Sequence, residues 1–274
     1  MTSVRPAEPF VAWADRSSLL AFVEQTLAAI DVESRKLLRD PSELFSRAVQ
    51  PVLWLLVFGQ VFSRVRGIAT GPLSYIEFMA PGVLAQSILF SAIFYGIAVI
   101  WERDLGIVHK LLVSPASRSA LVLGKALAAG ARGLMQAAII YVLALIIGVR
   151  LRFTVTAMVG VVLFVILGSA TFSTFSLVIA CIVKTRERFM GIGQVLTMPL
   201  FFASNAIYPL SLMPRWLHIA ALFNPLTYIV DALRGLMLQQ GVSTFGIGTD
   251  AAVVFVAFLI LLAIAAWRYS SLAE

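Results

Sequence analysis

The sequence predicts an all-α integral membrane protein with six transmembrane helices. Hydrophobic residues make up 60% of the 274 positions, charged residues make up 13%, and the mean hydropathy is +0.95. Soluble domains are roughly half apolar and about a quarter charged, so this composition excludes an ordinary soluble protein. Six apolar runs approach the roughly 20 residues that a helix needs to cross a bilayer. They are Ala48–Phe62, Tyr75–Ile100, Ala120–Val149, Val155–Val183, Phe189–Tyr208 and Ala251–Trp267.

The positions of the basic residues predict that both termini are cytoplasmic. With that orientation, fifteen of the 21 Lys and Arg residues lie on the inner side and six on the outer side, as the positive-inside rule requires. The formal charge of +7 therefore reflects membrane topology, and no nucleic-acid partner is expected. We expect a multi-pass protein with an N-terminal cytoplasmic segment over residues 1–44 and a transmembrane domain over residues 45–274.

The N-terminal segment contains a predicted amphipathic helix at Ser17–Asp40. Its apolar residues recur at close to helical spacing, whereas its charged residues fall largely on the rest of the helix surface. The apolar positions are Leu20, Val23, Leu27, Ile30, Leu37 and Leu38. Such a helix either lies in the inner membrane interface or packs on the helix bundle.

The stretch Trp101–Lys125, between the second and third spans, has the composition of a binding site for a soluble partner. It is charged, and it is interrupted by glycine and proline. It predicts a short cytoplasmic helix with an acidic start, where the carboxylates suit the helix dipole and face basic groups of a partner. The candidate coupling residues are Glu102, Arg103, Asp104, Gly106, Leu111, Leu112 and Pro115. The alternative is an amphipathic interfacial turn without a partner.

The outer segment Asn205–Asp250 is too apolar for a solvated loop and is interrupted by prolines. We expect a pair of outer helices that dip into the membrane. Asn224 and Pro225 are typical of an N-cap followed by the first helical residue. Asp231 and Arg234, three residues apart on that helix, are expected to pair and so to lower the cost of lying in lipid.

The catalytic and metal-binding motifs that define common enzymes are missing from the sequence. There is no GxxxxGK[ST] phosphate loop, no HExxH and no serine elbow, and no paired intramembrane carboxylates are evident. The single cysteine, Cys181, lies in an apolar run, and His109 and His218 are far apart, so no metal site is expected. Arg132 in the third span either snorkels to the inner headgroups or forms a functional salt bridge or a substrate contact. We therefore expect a non-enzymatic chain that draws its energy from another subunit.

Four stretches together resemble the permease subunits of ABC-2-type transporters, in particular daunorubicin-resistance-type drug efflux permeases. They are QPVLWLLVFGQVF at Gln50–Phe62, YIEFMAPGVLAQS at Tyr75–Ser87, WERDLGIVHKLLVSPASRSALVLGK at Trp101–Lys125 and YPLSLMPRWLHIAALFNPLTYIVDALRG at Tyr208–Gly235. The resemblance covers nearly all of residues 35–268.

The resemblance implies six spans, two copies of a separate ATPase subunit that binds ATP and Mg²⁺, and a second permease chain, either identical or related. It implies that Glu102–Pro115 contains the coupling helix. It also implies that Asn205–Leu238, with Asn224, Pro225, Asp231 and Arg234, forms a re-entrant element that caps the exit. No cofactor is implied in this chain. The expected location is the plasma membrane of a prokaryote, in contact with membrane lipids.

The second and fifth spans are the candidate substrate path, because they mix weakly polar groups with aromatics and methionine. The candidate residues are Met79, Ser87, Ser91, Tyr95, Gln194, Thr197, Met198, Phe201, Phe202 and Asn205. The predicted function is ATP-driven export of a hydrophobic or amphiphilic, drug-like or lipid-like compound. The alternatives are export of a lipid-linked polysaccharide or glycolipid, an ion-coupled secondary carrier, and a membrane-bound enzyme or sensor.

Overall fold

The computed structural model describes residues 18–39, 49–63, 71–113, 117–183 and 185–269. Within these ranges the regular structure is helical, apart from one isolated antiparallel bridge between Leu151 and Leu238. The helices, in chain order, are α1 (Ser18–Arg39), α2 (Val49–Phe62), α3 (Tyr75–Asp104), α4 (Ile107–Val113), α5 (Arg118–Ile147), α6 (Val155–Ile182), α7 (Arg186–Phe202), α8 (Arg215–Leu222), α9 (Pro225–Met237) and α10 (Ile247–Arg268). The predicted all-α class is confirmed for the described part of the chain.

Four of the described helices, α3, α5, α6 and α10, are long and apolar enough to cross a membrane. The pair α8 and α9 would make a fifth crossing if counted as one span, but the two helices are bent by 81° against each other. At 1.5 Å per residue, α2 is only about 21 Å long, and its Trp54–Phe58 stretch is π-helical. By length and composition, the described residues thus supply four or five spans against the six that the sequence predicts.

The observed helices match three predicted spans closely and revise two. The third, fourth and sixth spans correspond to α5, α6 and α10. The predicted second span ended at Ile100, whereas α3 continues to Asp104 and the chain turns at Leu105 and Gly106. The predicted fifth span ran to Tyr208, whereas α7 ends at Phe202. At the C-terminus of α7, the side-chain amide of Asn224 donates to the carbonyls of Leu200 (2.6 Å) and Ala203 (2.9 Å). It thereby supplies hydrogen bonds to carbonyl groups that have no partner within the helix.

Helices α3 and α6 form the centre of the bundle, and most residues of α3 are buried. Helix α6 packs along α3, α5 and α10. The buried residues of α10, Asp250, Val254, Phe258 and Ala265, lie along one stripe, and most of its other side chains are at least partly exposed. This pattern suits a helix with one face on the bundle and the other in lipid.

Contacts between helix termini define two ends of the bundle, named here the α4 end and the α8 end. At the α4 end, the Ser117 N–H donates to the Gln25 side-chain oxygen (3.0 Å), joining α1 to the start of α5. At the α8 end, the Tyr75 hydroxyl donates to the Ile207 carbonyl (3.1 Å). The bridge between Leu151 and Leu238 also lies at the α8 end. A chain of this topology therefore presents two chemically different faces.

Helix α1 packs on α5 through small and polar residues and leaves an apolar stripe uncovered. A side chain at Gly124 of α5 would collide with Ala29 of α1, so the two helices approach closely there. Glu33 on the packed face is 4% exposed, whereas Leu20 and Leu27 are 56% and 57% exposed. Packing on the bundle is therefore confirmed for this helix, and its position in the membrane interface, which the exposed apolar side would suit, stays a prediction.

Candidate functional site

A buried cluster of four charges joins three helices at the α4 end of the bundle. Lys125 of α5 donates to Glu33 Oε1 of α1 at 3.1 Å and to Glu102 Oε2 of α3 at 2.5 Å. The exposed fractions of Glu33, Glu102 and Lys125 are 4%, 8% and 5%. Charges are costly to bury unless they are paired, so this geometry holds α1, α3 and α5 in one arrangement.

Arg132 is buried and completes the cluster. Its guanidinium lies 3.9 Å from Glu33 Oε2 and 4.6 Å from the centre of the Tyr95 ring. Arg132 is one of the four buried charges, and with it the cluster contains two acidic and two basic side chains. Of the expectations for Arg132, the structure supports the salt bridge. Tyr95, predicted to line the substrate path, faces this cluster instead.

A second ion pair fixes the end of α3 to the start of α7. Arg186 donates to Asp104 Oδ2 at 2.7 Å, and its guanidinium stacks 3.7 Å from the centre of the Trp101 ring. Arg103 also contacts Asp104, at 3.0 Å. Asp104 thus has a guanidinium on each of two sides, and these opposite charges stabilise its carboxylate. Because Arg103 belongs to α3 itself, it is Arg186 that ties the end of α3 to the start of α7.

The short helix predicted within Trp101–Lys125 is present as α4, but the acidic residues expected at its start lie elsewhere. Glu102, Arg103 and Asp104 form the last turn of α3, and α4 begins only at Ile107, after a turn in which Gly106 has a φ of +70°. At a helix C-terminus the acidic residues do not benefit from the dipole. Glu102 points inward to Lys125, so its carboxylate is not presented to a partner.

One side of helix α4 faces α1, and the other side is exposed. Ile107 and Leu111 line a pocket of about 280 Å³ that extends to Val32 of α1. The pocket also reaches Glu33, Glu102 and Lys125 of the charge cluster. Lys110 is exposed, and Val113 is 87% exposed. Leu112 lies within α4, and Pro115 lies outside the described residues.

The predicted path residues divide into a buried group and an exposed group. Met79, Ser87, Ser91, Tyr95, Thr197, Phe201 and Asn205 are buried, whereas Gln194 and Phe202 are exposed and Met198 is partly buried. Helices α3 and α7 pack against each other within one chain. Ser87 and Ser91 line a cavity of about 370 Å³ beside Gln50 and Pro51 of α2. The residues are thus not gathered on one continuous surface.

At the α8 end, Asn224 caps α9 as predicted. Its side-chain oxygen accepts from the Leu226 N–H at 3.0 Å, and Pro225 occupies the first turn. The predicted pair of Asp231 and Arg234 does not form in the described structure. Asp231 Oδ2 accepts from Ser243 and from the backbone N–H groups of residues 244 and 245, whereas Arg234 donates to the Asn205 carbonyl at 2.7 Å.

A pair of carboxylates also lies at this end, contrary to the expectation that no such pair exists. The Ser243 hydroxyl lies 2.9 Å from Asp231 Oδ2 and 2.9 Å from Asp250 Oδ2. Both aspartates are fully buried. Asp231 lies on α9 and Asp250 lies on α10, and Ser243 in the loop between these helices contacts both. Spacing along a single helix therefore did not predict the pair.

Glu33 and Lys125 are the residues that sequence reasoning missed as site residues. The signal available for Lys125 was its position as a cation inside an apolar run, since such residues are functional candidates by default. For Glu33 no local signal was present, because its partners lie about ninety positions further along the chain.

Residues 24–238 match the sequence profile described as ABC-2 type transporter. The match begins within α1 and ends before α10. A ycf38 protein of Cyanophora paradoxa, provisionally named as a transport permease, is 29% identical over 217 residues, which are 78% of this chain and 74% of the relative.

Two further relatives carry names from different biological processes. The daunorubicin resistance ABC transporter permease protein of Streptomyces coeruleorubidus is 24% identical over 197 residues, covering 72% of this chain and 69% of the relative. Nodulation protein J of Bradyrhizobium diazoefficiens is 25% identical over 213 residues, covering 77% of this chain and 78% of the relative. Similarity at this level extends across relatives whose names point to different roles.

Proposed function

This chain belongs to the ABC-2 type transporter family, and we propose that it is the permease subunit of an ATP-driven exporter. In this proposal two copies of a separate ABC ATPase bind ATP and Mg²⁺ and act on two permease chains, identical or related. The complex lies in the plasma membrane of a prokaryote, with both permease termini in the cytoplasm. Helices α2 and α7 cross the membrane together with the four long helices, while α8 and α9 form the re-entrant outer element.

The observation that carries the proposal is the connection between α4 and the bundle. A short helix with an exposed side follows directly on α3, two residues after Asp104. The last turn of α3 is held by Lys125 of α5 through Glu102 and by Arg186 of α7 through Asp104. A displacement of α4 by a bound ATPase would therefore move α3 and α5 together, because the buried Glu102–Lys125 pair resists separation, and α7 is connected to this movement through the partly exposed Asp104–Arg186 pair.

Glu102 acts within this proposal as a positioning residue. It sets the angle at which α3 meets α4, whereas the exposed residues Lys110 and Val113 are available to a partner. Leu111, which lines the pocket toward α1, transmits movement of α4 to that helix. The predicted coupling segment thus keeps its proposed role. Glu102 and Asp104 hold the end of α3 in place, and Lys110 and Val113 are the residues available to a partner.

The proposed substrate is a hydrophobic or amphiphilic compound. The polar groups in the 370 Å³ cavity are Ser87, Ser91 and the amides of Gln50 and Gln86, and the remaining lining is apolar. Such a mixture suits an amphiphile better than an ion. A lipid-linked polysaccharide or glycolipid stays the alternative substrate. Transport driven by an ion gradient, without an ATPase, is the alternative mechanism.

A glycine substitution tests whether α4 couples ATP hydrolysis to transport. Gly106 has a φ of +70°, so alanine there strains the turn between α3 and α4, at a cost of about 1–2 kcal/mol. We expect Gly106→Ala to reduce substrate-stimulated ATP hydrolysis by the purified permease–ATPase complex while insertion and expression stay normal. The matched control is Gly148→Ala, since Gly148 has a φ of +88° at the other end of the bundle. Equal losses from both variants, or none from either, would contradict the assignment.

A further inference from the structure

Arg234 lines a pocket at the α8 end of the bundle. The residue is only 6% exposed, and the pocket has a volume of about 300 Å³. Phe78 and Asn205 line its inner part, and Ser211, Val242 and Thr244 also contribute to its wall.

In the described part of the chain no carboxylate lies within ion-pair distance of Arg234, although the charge of Asp231 acts on it from a greater distance. The nearest acidic residue along its own helix, Asp231, directs Oδ2 to Ser243 and to two backbone N–H groups. The guanidinium makes one hydrogen bond, from NH2 to the Asn205 carbonyl at 2.7 Å, and its Nε is buried without a hydrogen-bond partner. A guanidinium has five N–H donors, so most of its capacity is unused by the protein.

One face of the guanidinium is covered by the Phe78 ring, whose centre lies 3.9 Å away. This contact orients the planar group and shields it from solvent. An arginine held in this way suits the bidentate recognition of a phosphate or carboxylate, which is stronger in a partly desolvated site. The side-chain oxygen of Asn205 is likewise buried without a partner, and it would accept a hydrogen bond from a hydroxyl group.

We propose that this pocket binds an oxyanion that carries a neighbouring hydroxyl group, as a glycerol phosphate ester does. Helix α8 contacts the pocket wall, since His218 Nδ1 lies 3.2 Å from the carbonyl of Leu210. Trp216 of α8 is 71% exposed and Phe223, directly after α8, is 86% exposed, so an amphiphile is able to reach the pocket from the leaflet. The anion is either the headgroup of a phospholipid or a free phosphate ester. This binding requires neither the ATPase nor transport, so it stands apart from the proposed function.

The experiment measures binding to the purified full-length permease in a neutral detergent. One arm titrates sn-glycerol 3-phosphate by calorimetry, with glycerol as the uncharged reference. The other arm measures retained phosphatidylglycerol against phosphatidylcholine by native mass spectrometry. We expect saturable binding of the charged probe in at least one arm. Binding in both arms indicates that the headgroup suffices, and binding in the second arm alone identifies the lipid as the source.

Three variants test the role of the pocket. Arg234→Gln should weaken binding by about tenfold or more, because charge-assisted hydrogen bonds are the strongest contribution. Val242→Glu should do the same from a site that is 76% exposed, where the fold tolerates a carboxylate. Arg152→Gln is the matched control, since Arg152 donates to the carbonyls of Gly235 (3.1 Å) and Gln239 (2.8 Å) outside the pocket.

The proposal is overturned if neither probe binds, or if folded Val242→Glu protein binds like the wild type. It is also overturned if Arg152→Gln weakens binding as much as Arg234→Gln, because the loss of affinity would then follow from removing any positive charge at the α8 end and not from the pocket. If Arg234→Gln does not fold, Val242→Glu decides the outcome.

Discussion

Replacing Lys125 with methionine removes the cation that holds Glu33 and Glu102 together. Methionine retains much of the length and apolar volume of the lysine stem, so the change is mainly one of charge. The variant leaves two buried carboxylates with Arg132 as the remaining cation of the cluster, and Arg132 lies 3.9 Å from Glu33. Breaking a buried pair from one side typically costs about 3–5 kcal/mol, because an uncompensated charge stays buried.

An exposed ion pair on α1 supplies the control for this magnitude. Arg35 contacts Asp31 at 2.8 Å, a distance between those of the two Lys125 contacts, but the two side chains are 70% and 57% exposed. Exposed pairs of this kind contribute about 0.2–1 kcal/mol. Arg35→Met should therefore change stability several-fold less than Lys125→Met, although the lost contact has a comparable length.

The assay is reversible unfolding of the purified permease in mixed micelles, combined with a mutant cycle. Lys125→Met alone should be strongly destabilised, whereas adding Glu102→Gln should restore much of the loss, because Glu33 and Arg132 then remain as one pair and no unpaired charge is left in the cluster. A loss below about 1 kcal/mol for Lys125→Met, or additive effects in the cycle, would refute the account of the cluster.

Two further predictions concern topology and the substrate path. Single cysteines at Ser117 and Thr244, both exposed, in a Cys181→Ser background should be labelled from opposite sides of the membrane, with Ser117 inside; labelling of both from outside would exclude the proposed topology. Phe202→Trp, on the exposed side of α7, should alter substrate preference or block export while the ATPase still assembles. Leu163→Trp, at a site 59% exposed on α6, should leave transport unchanged. If Leu163→Trp alone abolishes transport, the path lies elsewhere.

The long helices were predictable because their signal is local. Val155–Ile182 contains no charged residue, so composition alone places its limits to within one residue. The end of α3 was misplaced because Glu102 and Asp104 resemble solvated loop residues in sequence. In the structure their charges are matched by Lys125 and Arg186, which lie 23 and 82 positions further along the chain.

The candidate site shows the same division between local and distant signals. The cap at Asn224 depends on adjacent residues and was predicted correctly. The pairing of Asp231 with Arg234 rested on helical spacing alone and was wrong, because the loop at residues 243–245 offers Asp231 three donors at 2.6–3.0 Å. Spacing along one helix shows which groups are neighbours, whereas partners from other segments decide which contacts form.

Reconstitution into proteoliposomes tests the central claim that this chain exports an amphiphile only with an ABC ATPase. The permease is incorporated alone or with its ATPase, and movement of a drug-like amphiphile is measured with ATP or with an imposed proton or sodium gradient. The account predicts transport that requires both the ATPase and ATP and is independent of the ion gradient. Transport by the permease alone along an ion gradient, or chemical turnover of the compound by the isolated chain, would contradict it.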